Sequence, residues 1–411
     1  MKLEQDVCNG SKRKQIYKCD WLWQTGYYAK TKRKGGRGMR EGWIEKRFDE
    51  VFTLQMGKTP DRKNKAFFEG TNTWVSIKDL GDKYILSSHE CISDEAATNI
   101  SIVKKGTVIM SFKLTVGKCA IAAKDLYTNE AIMAFNTKDG YEINSSFLYY
   151  YLKGYKWNGA NKAVMGLTLN KATISKHNLF IPPLSTQQSI VSELDKINEL
   201  IRLKKEQLKD YDNLAQSIFY EMFGDEKYER RKLKNIVKVK SGQVSPLEDP
   251  YCDMVHVGPA NIESNTGRLI NLKTAKEENL ISGKYLFDSS MVLYSKIRPN
   301  LNKVTIADFE GICSADMYPL IPSKSIDKKF LLFILKQKEF LSYAIANSGR
   351  ANIPKINREA LLEYSTILPP LSLQLQFAER LALIEQQKAE IQSTITDLET
   401  LLASRMQYWF D

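Results

Sequence analysis

Residues 181–224 read IPPLSTQQSIVSELDKINELIRLKKEQLKDYDNLAQSIFYEMFG, and residues 368–411 read LPPLSLQLQFAERLALIEQQKAEIQSTITDLETLLASRMQYWFD. The two stretches share a PPLSxQ motif whose residues coincide at a constant offset of 187 positions. The matched residues are Pro182, Pro183, Leu184, Ser185 and Gln187 in the first copy and Pro369, Pro370, Leu371, Ser372 and Gln374 in the second. A match of this kind indicates an internal duplication.

Apolar residues recur alternately three and four positions apart after each motif. They run from Ile190 to Met222 in the first copy and from Phe377 to Trp409 in the second. Such heptads are typical of coiled-coil helices, and the paired prolines mark where each helix begins. About 40 residues make a helix on the order of 60 Å long. A helix of that length needs a partner for its apolar face, and we predict that the two copies pair as an antiparallel coiled coil.

Basic residues interrupt the heptads at different places in the two copies. Lys204 interrupts the first copy and aligns with Ile391, whereas Lys388 interrupts the second and aligns with Ile201; Arg405 is a further interruption in the second copy. A polar residue at a core position helps to specify register. Each helix is therefore expected to carry its own polar notch.

The segments before each helix have the pattern of mixed α/β domains. Strand-like runs occupy 73–77, 106–112, 117–123 and 131–136, and a helix is predicted over 145–157. The second half repeats this plan with a period of about 185 residues. The predicted fold class is α+β: two mixed α/β domains in tandem repeat, each followed by a long helix. The predicted segments are a basic, disordered extension (1–38), a first domain (39–184), a central helix (185–224), a second domain (225–371) and a distal helix (372–411).

The net charge of +12 suggests a polyanionic partner, but residues 1–40 alone contribute eleven basic side chains against three acidic ones. The run KTKRKGGRG (30–38) has the composition of a flexible segment. This segment is either a phosphate-binding arm or a disordered extension. The second alternative includes the case in which it is translated leader sequence upstream of a true start at Met39. A mass spectrum of the intact native protein distinguishes an internal start from a start at residue 1.

Several classes of function are excluded by what the sequence lacks. No apolar run approaches the roughly 18 residues of a membrane span, and the N-terminus lacks a signal peptide's apolar centre, so we expect a cytoplasmic protein without a membrane partner. Six scattered cysteines and three isolated histidines predict neither disulfides nor a metal site. Gly57-Lys58-Thr59 ends like a phosphate-binding loop, but Phe52 stands where the first glycine is required. No methyl-donor or hydrolase motif is present, which predicts a binding protein without catalytic residues or cofactors.

Loops of the two domains supply candidate DNA-binding residues. Arg and Asn carry donors and acceptors that match guanine and adenine edges, whereas Lys suits phosphates as a point charge. In the first domain the candidates are Lys58, Thr59, Arg62, Lys63, Lys65, Ser111, Lys113 and Lys118. In the second domain they are Lys296, Arg298, Asn300, Asn302, Lys303, Arg350, Asn352 and Lys355. The alternative for each residue taken singly is a solvated loop side chain.

The whole pattern from Met39 onward resembles the specificity subunit of type I restriction-modification systems. The resemblance is carried by the GKTP turn (57–60), the two PPLSxQ junctions and the loop YSKIRPNLNKV (294–304). Two features depart from the usual pattern: the basic extension, and Thr186 and Leu373 where the family commonly has Glu.

The resemblance implies two target-recognition domains that each read one half of a bipartite, asymmetric target in double-stranded DNA. It also implies that the two antiparallel helices act as a ruler and dock two methyltransferase subunits, which recruit two restriction subunits. Adenine methylation, ATP hydrolysis and DNA cleavage would then belong to those partners.

Two alternatives from other classes remain to be weighed. A coiled-coil scaffold that joins two protein-binding heads would also explain the long helices and the modest charge of the body. It is distinguished by a gel shift of the chain with its methyltransferase partner on genomic fragments, where a scaffold shows no sequence preference. A single-chain restriction-methylation enzyme is excluded, because the chain contains no methyl-donor motif.

Overall fold

The structure is a computed structural model that describes residues 40–157, 161–163, 166–224, 228–349 and 352–410, with only the backbone described for 161–163 and 166–168. The predicted basic extension and Arg350 lie outside the described residues. The chain forms two compact units. The first comprises the described residues up to Ser192 together with Phe410, and the second comprises the described residues of Glu193–Trp409.

The first unit is built from short strands and short helices. Its strands are β1 (Ile44–Arg47), β2 (Phe52–Met56), β3 (Asn72–Val75), β4 (Tyr84–Ile85), β5 (Glu90–Ile92), β6 (Val108–Ser111), β7 (Lys113–Leu114), β8 (Cys119–Ala122), β9 (Tyr127–Thr128), β10 (Ile132–Thr137), β11 (Asn161–Ala163), β12 (Gly166–Thr168) and β13 (Asn178–Ile181). Its helices are α1 (Phe48–Val51), α2 (Asp94–Ala97), α3 (Ser145–Gly154) and α4 (Lys171–Ser175), followed by the start of the long helix α5 (Leu184–Phe223).

A five-stranded sheet in the order β2-β10-β6-β8-β4 forms the centre of the first unit. Strands β6 and β8 are buried along their whole length, and helix α3 packs against both of them. Burial on both faces explains why these strands read as continuous apolar runs rather than as alternating patterns. Smaller sheets, β11-β12-β7, β5-β3-β9 and β1-β13, complete the unit.

The second unit is also built from short strands and short helices, but its sheets have different numbers of strands. Its strands are β14 (Arg230–Lys232), β15 (Val237–Val239), β16 (Gln243–Val244), β17 (Val255–Val257), β18 (Lys273–Thr274), β19 (Lys284–Phe287), β20 (Val292–Ser295), β21 (Val304–Thr305), β22 (Gly311–Cys313), β23 (Met317–Pro322) and β24 (Ser365–Ile367). Its helices are α6 (Leu233–Ile236), α7 (Lys328–Lys336), α8 (Lys338–Ala346), α9 (Arg358–Glu363) and the long α10 (Leu371–Phe410). The strands form sheets in the orders β16-β19-β22-β17-β18, β15-β23-β20-β21 and β14-β24.

Four local predictions were too long, including the strands predicted over 106–112 and 117–123, which are observed as β6 (Val108–Ser111) and β8 (Cys119–Ala122). The run predicted as a strand over 73–77 leaves the sheet after Val75, and a 3-10 helix begins at Ile77. The helix predicted over 145–157 ends at Gly154, where the next residue, Tyr155, is extended. Glycine is a poor helix former, and the Tyr155 ring instead packs edge-on against His177 with centroids 5.5 Å apart.

The antiparallel pairing of the two long helices is confirmed. Lys205 Nζ lies 2.8 Å from Glu399, and Lys388 Nζ lies 2.8 Å from Asp212, so residue numbers rise along α5 as they fall along α10. The predicted core positions are all buried or half-buried, with Ile201 and Ile391 among the buried ones. The heptad pattern therefore identified the packed face of each helix correctly.

Of the two lysines that interrupt the heptads, only Lys388 of the second copy contacts the facing helix. Lys388 donates to Asp212 on the facing helix and to Glu385 on its own helix, whereas Lys204 bonds Gln207 on its own helix at 3.1 Å. Burial opposes the charge of Lys388, but the hydrogen bond to Asp212 and the Glu385 charge outweigh it and raise its pKa. Lys388 is therefore held charged at the interface between the helices, where it favours one register.

The far end of this helix pair carries a second polar contact. The Arg405 guanidinium pairs with the Glu193 carboxylate, and the Trp409 indole N–H donates to the same carboxylate at 2.9 Å. Side chains of opposite charge thus join the two helices near one end, through Arg405 and Glu193, and nearer the middle, through Lys388 and Asp212, and both contacts favour one register. None of the helices in the described part of the chain combines the length and apolarity that a membrane crossing requires.

Candidate nucleic-acid interface

Each domain carries the same closed loop, which we name its tip loop: residues 111–118 in the first domain and 295–303 in the second. Each tip loop begins at a buried serine, Ser111 or Ser295, and ends at a lysine, Lys118 or Lys303. The serine N–H donates to the lysine carbonyl in both, at 2.8 Å in the first domain and 3.0 Å in the second. The two loops are therefore closed by the same backbone hydrogen bond.

The surroundings of the two tip loops also correspond. Strand β7 pairs Lys113 with Thr168, and a single bridge pairs Ile297 with Lys355, which is 187 positions beyond Thr168. Two further backbone hydrogen bonds recur. They are Phe112 N to Ala131 O (3.0 Å) and Leu169 N to Phe112 O (2.8 Å) in the first domain, and Lys296 N to Asp316 O (3.0 Å) and Ile356 N to Lys296 O (3.0 Å) in the second. Sequence similarity is concentrated in the helices, but the backbone plan of the domains is also duplicated.

One residue near the start of each tip loop is left-handed and exposed. Leu114 has φ 63° and is 52% exposed, and Arg298 has φ 48° and is also exposed. Residues other than glycine rarely adopt this backbone conformation, because their Cβ atom crowds the following carbonyl group. The surrounding hydrogen bonds, including Arg298 N to Pro354 O at 2.7 Å, hold the backbone there. We call Leu114 and Arg298 the tip residues.

In the second domain the structure separates the predicted residues into two groups. Arg298 and Asn300 are exposed, whereas Asn302 is buried and its amide donates to Lys336 O at 3.2 Å. Lys303 Nζ donates to Pro259 O at 2.6 Å, and Lys296 Nζ donates to Ala315 O at 2.6 Å. Asn302, Lys303 and Lys296 thus hold the loop in place, and we remove Asn302 from the candidate contact surface.

The bridge between Ile297 and Lys355 brings a second predicted loop to the same surface. Asn352 and Lys355 are both exposed beside the Arg298 loop, although more than 50 residues separate the two segments in sequence. The exposed candidates of the second domain are therefore Arg298, Asn300, Asn352 and Lys355.

In the first domain Ser111 serves the loop rather than the surface. It is fully buried, its hydroxyl donates to Thr115 O, and the same oxygen accepts from Lys118 N at 3.1 Å. Because the buried Ser111 hydroxyl already donates and accepts a hydrogen bond within its own turn, we also remove Ser111 from the candidate contact surface. Lys118 is exposed and Lys113 is half-buried in the same loop.

The segment after β2 lies beside this tip loop and is joined to it through Glu130. The Thr59 hydroxyl donates to the Glu130 carboxylate. Partial burial tends to raise the pKa of Glu130, but the Thr59 hydrogen bond and the charges of Lys113 and Arg62 lower it below its ordinary value. The two predicted groups of the first domain thus form one basic surface around one carboxylate, together with the exposed Lys58, Lys63 and Lys65.

Arg62 is already paired within the protein. Its guanidinium forms a two-point contact with Glu90, one bond of which is 3.0 Å, and stacks over the Phe68 ring with a separation of 4.4 Å. The hydrogen bond to Glu90 raises the pKa of Arg62 and lowers the pKa of Glu90. A phosphate would have to compete with this carboxylate for Arg62, so we rank the lysines of this surface, which form no ion pair with any described residue, above Arg62 as contacts to the DNA backbone.

Sequence reasoning missed Leu114, Glu90 and Glu130. Leu114 is an aliphatic residue between lysines in KLTVGK. Only alignment of Ser111 with Ser295 shows that its position is equivalent to that of Arg298 in the second domain. The two glutamates carry no local signal, because Glu90 lies 28 positions from Arg62 and Glu130 lies 71 positions from Thr59.

Comparison with known proteins agrees with the duplication of the chain. The family model of the type I restriction modification DNA specificity domain matches residues 40–210 and again residues 225–400. The chain therefore belongs to this family.

Individual relatives cover parts of the chain. It is 38% identical over 149 residues to the type I restriction enzyme EcoDI specificity subunit of Escherichia coli, which covers 36% of this chain and 33% of the relative. It is 25% identical over 283 residues to the MjaIX specificity subunit of Methanocaldococcus jannaschii, which covers 62% of this chain and 64% of the relative. The chain thus spans from about a third to just under two thirds of these relatives' lengths.

Solved structures share the fold over nearly the whole chain. A chain from a structure of a type I R-M system aligns with a TM-score of 0.57 at 16% identity, covering 91% of this chain and 99% of that one. The S subunit of a type I restriction-modification system from M. genitalium aligns with a TM-score of 0.52 at 14% identity, covering 92% and 98%. At these identities the likeness shows a common fold.

Proposed function

We propose that this chain is the DNA specificity subunit of a type I restriction-modification complex and that each domain reads one half of a bipartite, asymmetric target. The observation that carries the proposal is the pair of tip loops. They share their closing hydrogen bond and their strand partner, yet present an aliphatic side chain in one domain and a guanidinium in the other. One scaffold with two different tips fits a target whose two halves differ in sequence.

The two tips have different base preferences by their chemistry. An arginine guanidinium matches the paired acceptors of guanine in the major groove, and an aliphatic side chain matches the thymine methyl group. Both tips are held on closed loops, so little conformational freedom is lost when they bind. The basic side chains around them, which carry no base preference as point charges, would contact phosphates and set orientation.

The proposed DNA surface has two parts, one in each domain. In the first domain it comprises Lys58, Lys63, Lys65, Lys113, Lys118 and the tip residue Leu114, with Thr59 and Arg62 available only by exchange with their carboxylate partners. In the second domain it comprises Arg298, Asn300, Asn352 and Lys355, with Arg350 next to them in the sequence. We assign the target-recognition domains to residues 39–184 and 225–371.

The long helices are proposed to set the gap between half-sites and to dock two methyltransferase subunits. Exposed leucines along the pair support docking, because large aliphatic side chains are costly to leave in water. They include Leu200 (47% exposed), Leu203 (46%), Leu214 (45%) and Leu383 (66%). Two restriction subunits would join through the methyltransferases, and adenine methylation, ATP hydrolysis and cleavage would reside in these partners. Because the target is cellular DNA, we place the complex in the cytoplasm.

Mapping of adenine methylation tests the proposal. A host that expresses the chain with its cognate methyltransferase should methylate one bipartite motif with a fixed gap, and the motif should vanish when the chain is deleted. Methylation without a sequence preference, or a motif that persists without the chain, would favour the scaffold alternative. The family match does not favour that alternative.

Arg298→Ala should weaken DNA binding by about 1–3 kcal/mol and relax one base in one half-site, if the guanidinium makes a two-point base contact. Binding is measured on a panel of targets that carry single substitutions in each half-site. Leu114→Ala is the matched control, because it alters the equivalent position of the other domain and should affect only the other half-site. A uniform loss over all sequences, with a shallower salt dependence, would instead assign Arg298 to a phosphate.

A further inference from the structure

The glutamine of the PPLSxQ motif is buried in both copies. Gln187 is 1% exposed and Gln374 is fully buried, although each lies near the start of a long helix whose neighbouring glutamines, Gln188 and Gln376, face solvent. A buried side-chain amide is costly unless its donors and acceptor find partners. Its contacts therefore show what each glutamine is for.

Both glutamines make the same three hydrogen bonds. Each accepts one backbone N–H through Oε1 and donates to two backbone carbonyls through Nε2. For Gln187 the partners are Asn144 N (2.8 Å), Glu142 O (3.0 Å) and Pro182 O (3.0 Å). For Gln374 they are Asp327 N (2.9 Å), Ser325 O (3.0 Å) and Pro369 O (2.8 Å). Every partner has its counterpart in the other copy, so the pattern belongs to the duplicated scaffold.

The partners join two helix starts. Asn144 and Asp327 are the N-cap residues of α3 and α7, and their side chains accept from the first backbone amides of those helices at 2.9–3.1 Å. Pro182 and Pro369 open the turns that lead into α5 and α10. Each glutamine thus fastens the buried helix of its own domain to the first turn of the long helix that follows.

We infer that Gln187 and Gln374 are positioning residues that fix the angle between each target-recognition domain and its helix, and thereby make the complex selective for one gap length. This inference rests on the proposed function. A tip loop about 20 Å from such a joint would move by one base-pair step, about 3.4 Å, if the joint turned by on the order of 10°. A long helix can therefore set the gap to one base pair only if the angle between the helix and its domain varies by less than this rotation.

The test replaces each glutamine by methionine in the full chain, expressed with its cognate methyltransferase. Methionine has a similar length and volume but forms none of the three hydrogen bonds. Gln188→Met and Gln376→Met are matched controls on the exposed face of the same helices. Adenine methylation of the host genome is mapped, and sites with the wild-type gap are compared with sites whose gap differs by one base pair.

Gln187→Met and Gln374→Met should each raise methylation of wrong-gap sites by about tenfold or more relative to the correct gap, with both half-sites unchanged. The exposed controls should keep the wild-type preference. Gln187→Glu and Gln374→Glu keep the shape of the side chain and its acceptor oxygen but have no donor when ionised and only one when protonated, so they should also lose gap selectivity, with smaller disturbance of packing.

Three results would overturn the inference. One is a folded variant that keeps full gap selectivity; another is loss of base preference in the variant domain's own half-site, which indicates damage to that domain. The third is failure of both the Met and the Glu variants to fold, which would make the glutamines structural only. Absence of any bipartite motif in the wild-type host would instead count against the proposed function itself.

Discussion

Gly57→Ala is expected to destabilise the first domain by more than about 3 kcal/mol, because an added Cβ would overlap the backbone of the neighbouring strand. The ideal Cβ position lies 1.9 Å from Thr128 O and 2.3 Å from Thr128 C, and neither atom belongs to a side chain that can move aside. The turn is closed by Lys58 N, which donates to Thr128 O at 2.9 Å, and by the Trp74 indole, which donates to Lys58 O at 3.1 Å. Separation of the strands would break these contacts.

Gly242 provides the matched control, since it is the repeat equivalent of Gly57. Gly242 has φ +82°, and apart from its chain neighbours no described residue has a heavy atom within 4 Å of an added Cβ, so Gly242→Ala should cost only the strain of a left-handed alanine, about 1–2 kcal/mol. Denaturant unfolding and hydrogen exchange of peptides covering each turn measure both effects. Equal stability of the two variants would show that close packing at Gly57 is relieved by movement of the strand.

Deletion of one heptad from each long helix is expected to shorten the gap between half-sites by about three base pairs while the half-site bases stay the same. Seven residues correspond to about 10 Å of helix, and one base pair to about 3.4 Å. Residues 198–204 and 396–402 are suitable, because they face each other between the Glu193–Arg405 and Asp212–Lys388 contacts. Removal of whole heptads keeps the apolar positions on the packed face.

A deletion of four residues within 195–215 alone is the informative comparison. It moves the apolar positions of one helix off the packed face and offsets ion pairs between the helices, so it should shorten the gap or abolish binding without changing either half-site. Methylation mapping measures gap and bases together for each variant. Altered half-site bases with an unchanged gap would contradict the proposed role of the helices as spacers.

The long helices and the central strands could be predicted because their sequence signals are local. Heptads place Ile201 and Ile391 on the packed face whatever surrounds them, and the paired prolines mark the helix starts to within a residue or two. Strands β6 and β8 were visible as apolar runs for the same reason. Helix ends were less predictable, because Tyr155 leaves α3 to pack against His177, which is distant in sequence.

The candidate site was predicted by residue type but not by exposure. Asn302 and Lys303 have the chemistry of DNA contacts, yet Lys336 O and Pro259 O, 34 and 44 positions away, bind them first. Leu114 has no chemistry that suggests DNA, yet it occupies the place that Arg298 holds in the other domain. Whether a loop side chain faces solvent depends on which distant segment reaches it, and periodicity carries no information about that.

The sequence by itself determined the duplication, the two long helices, their apolar faces and the absence of catalytic motifs, because these follow from spacing along one chain. Tertiary structure decided which serines, lysines and asparagines hold the tip loops, which residues form the tips, and that the motif glutamines join each domain to its helix. Those assignments depend on hydrogen bonds between segments that are distant in sequence, such as Lys303 to Pro259 (44 positions), Gln187 to Glu142 (45) and Gln374 to Ser325 (49), and a pattern along one chain does not reveal such partners.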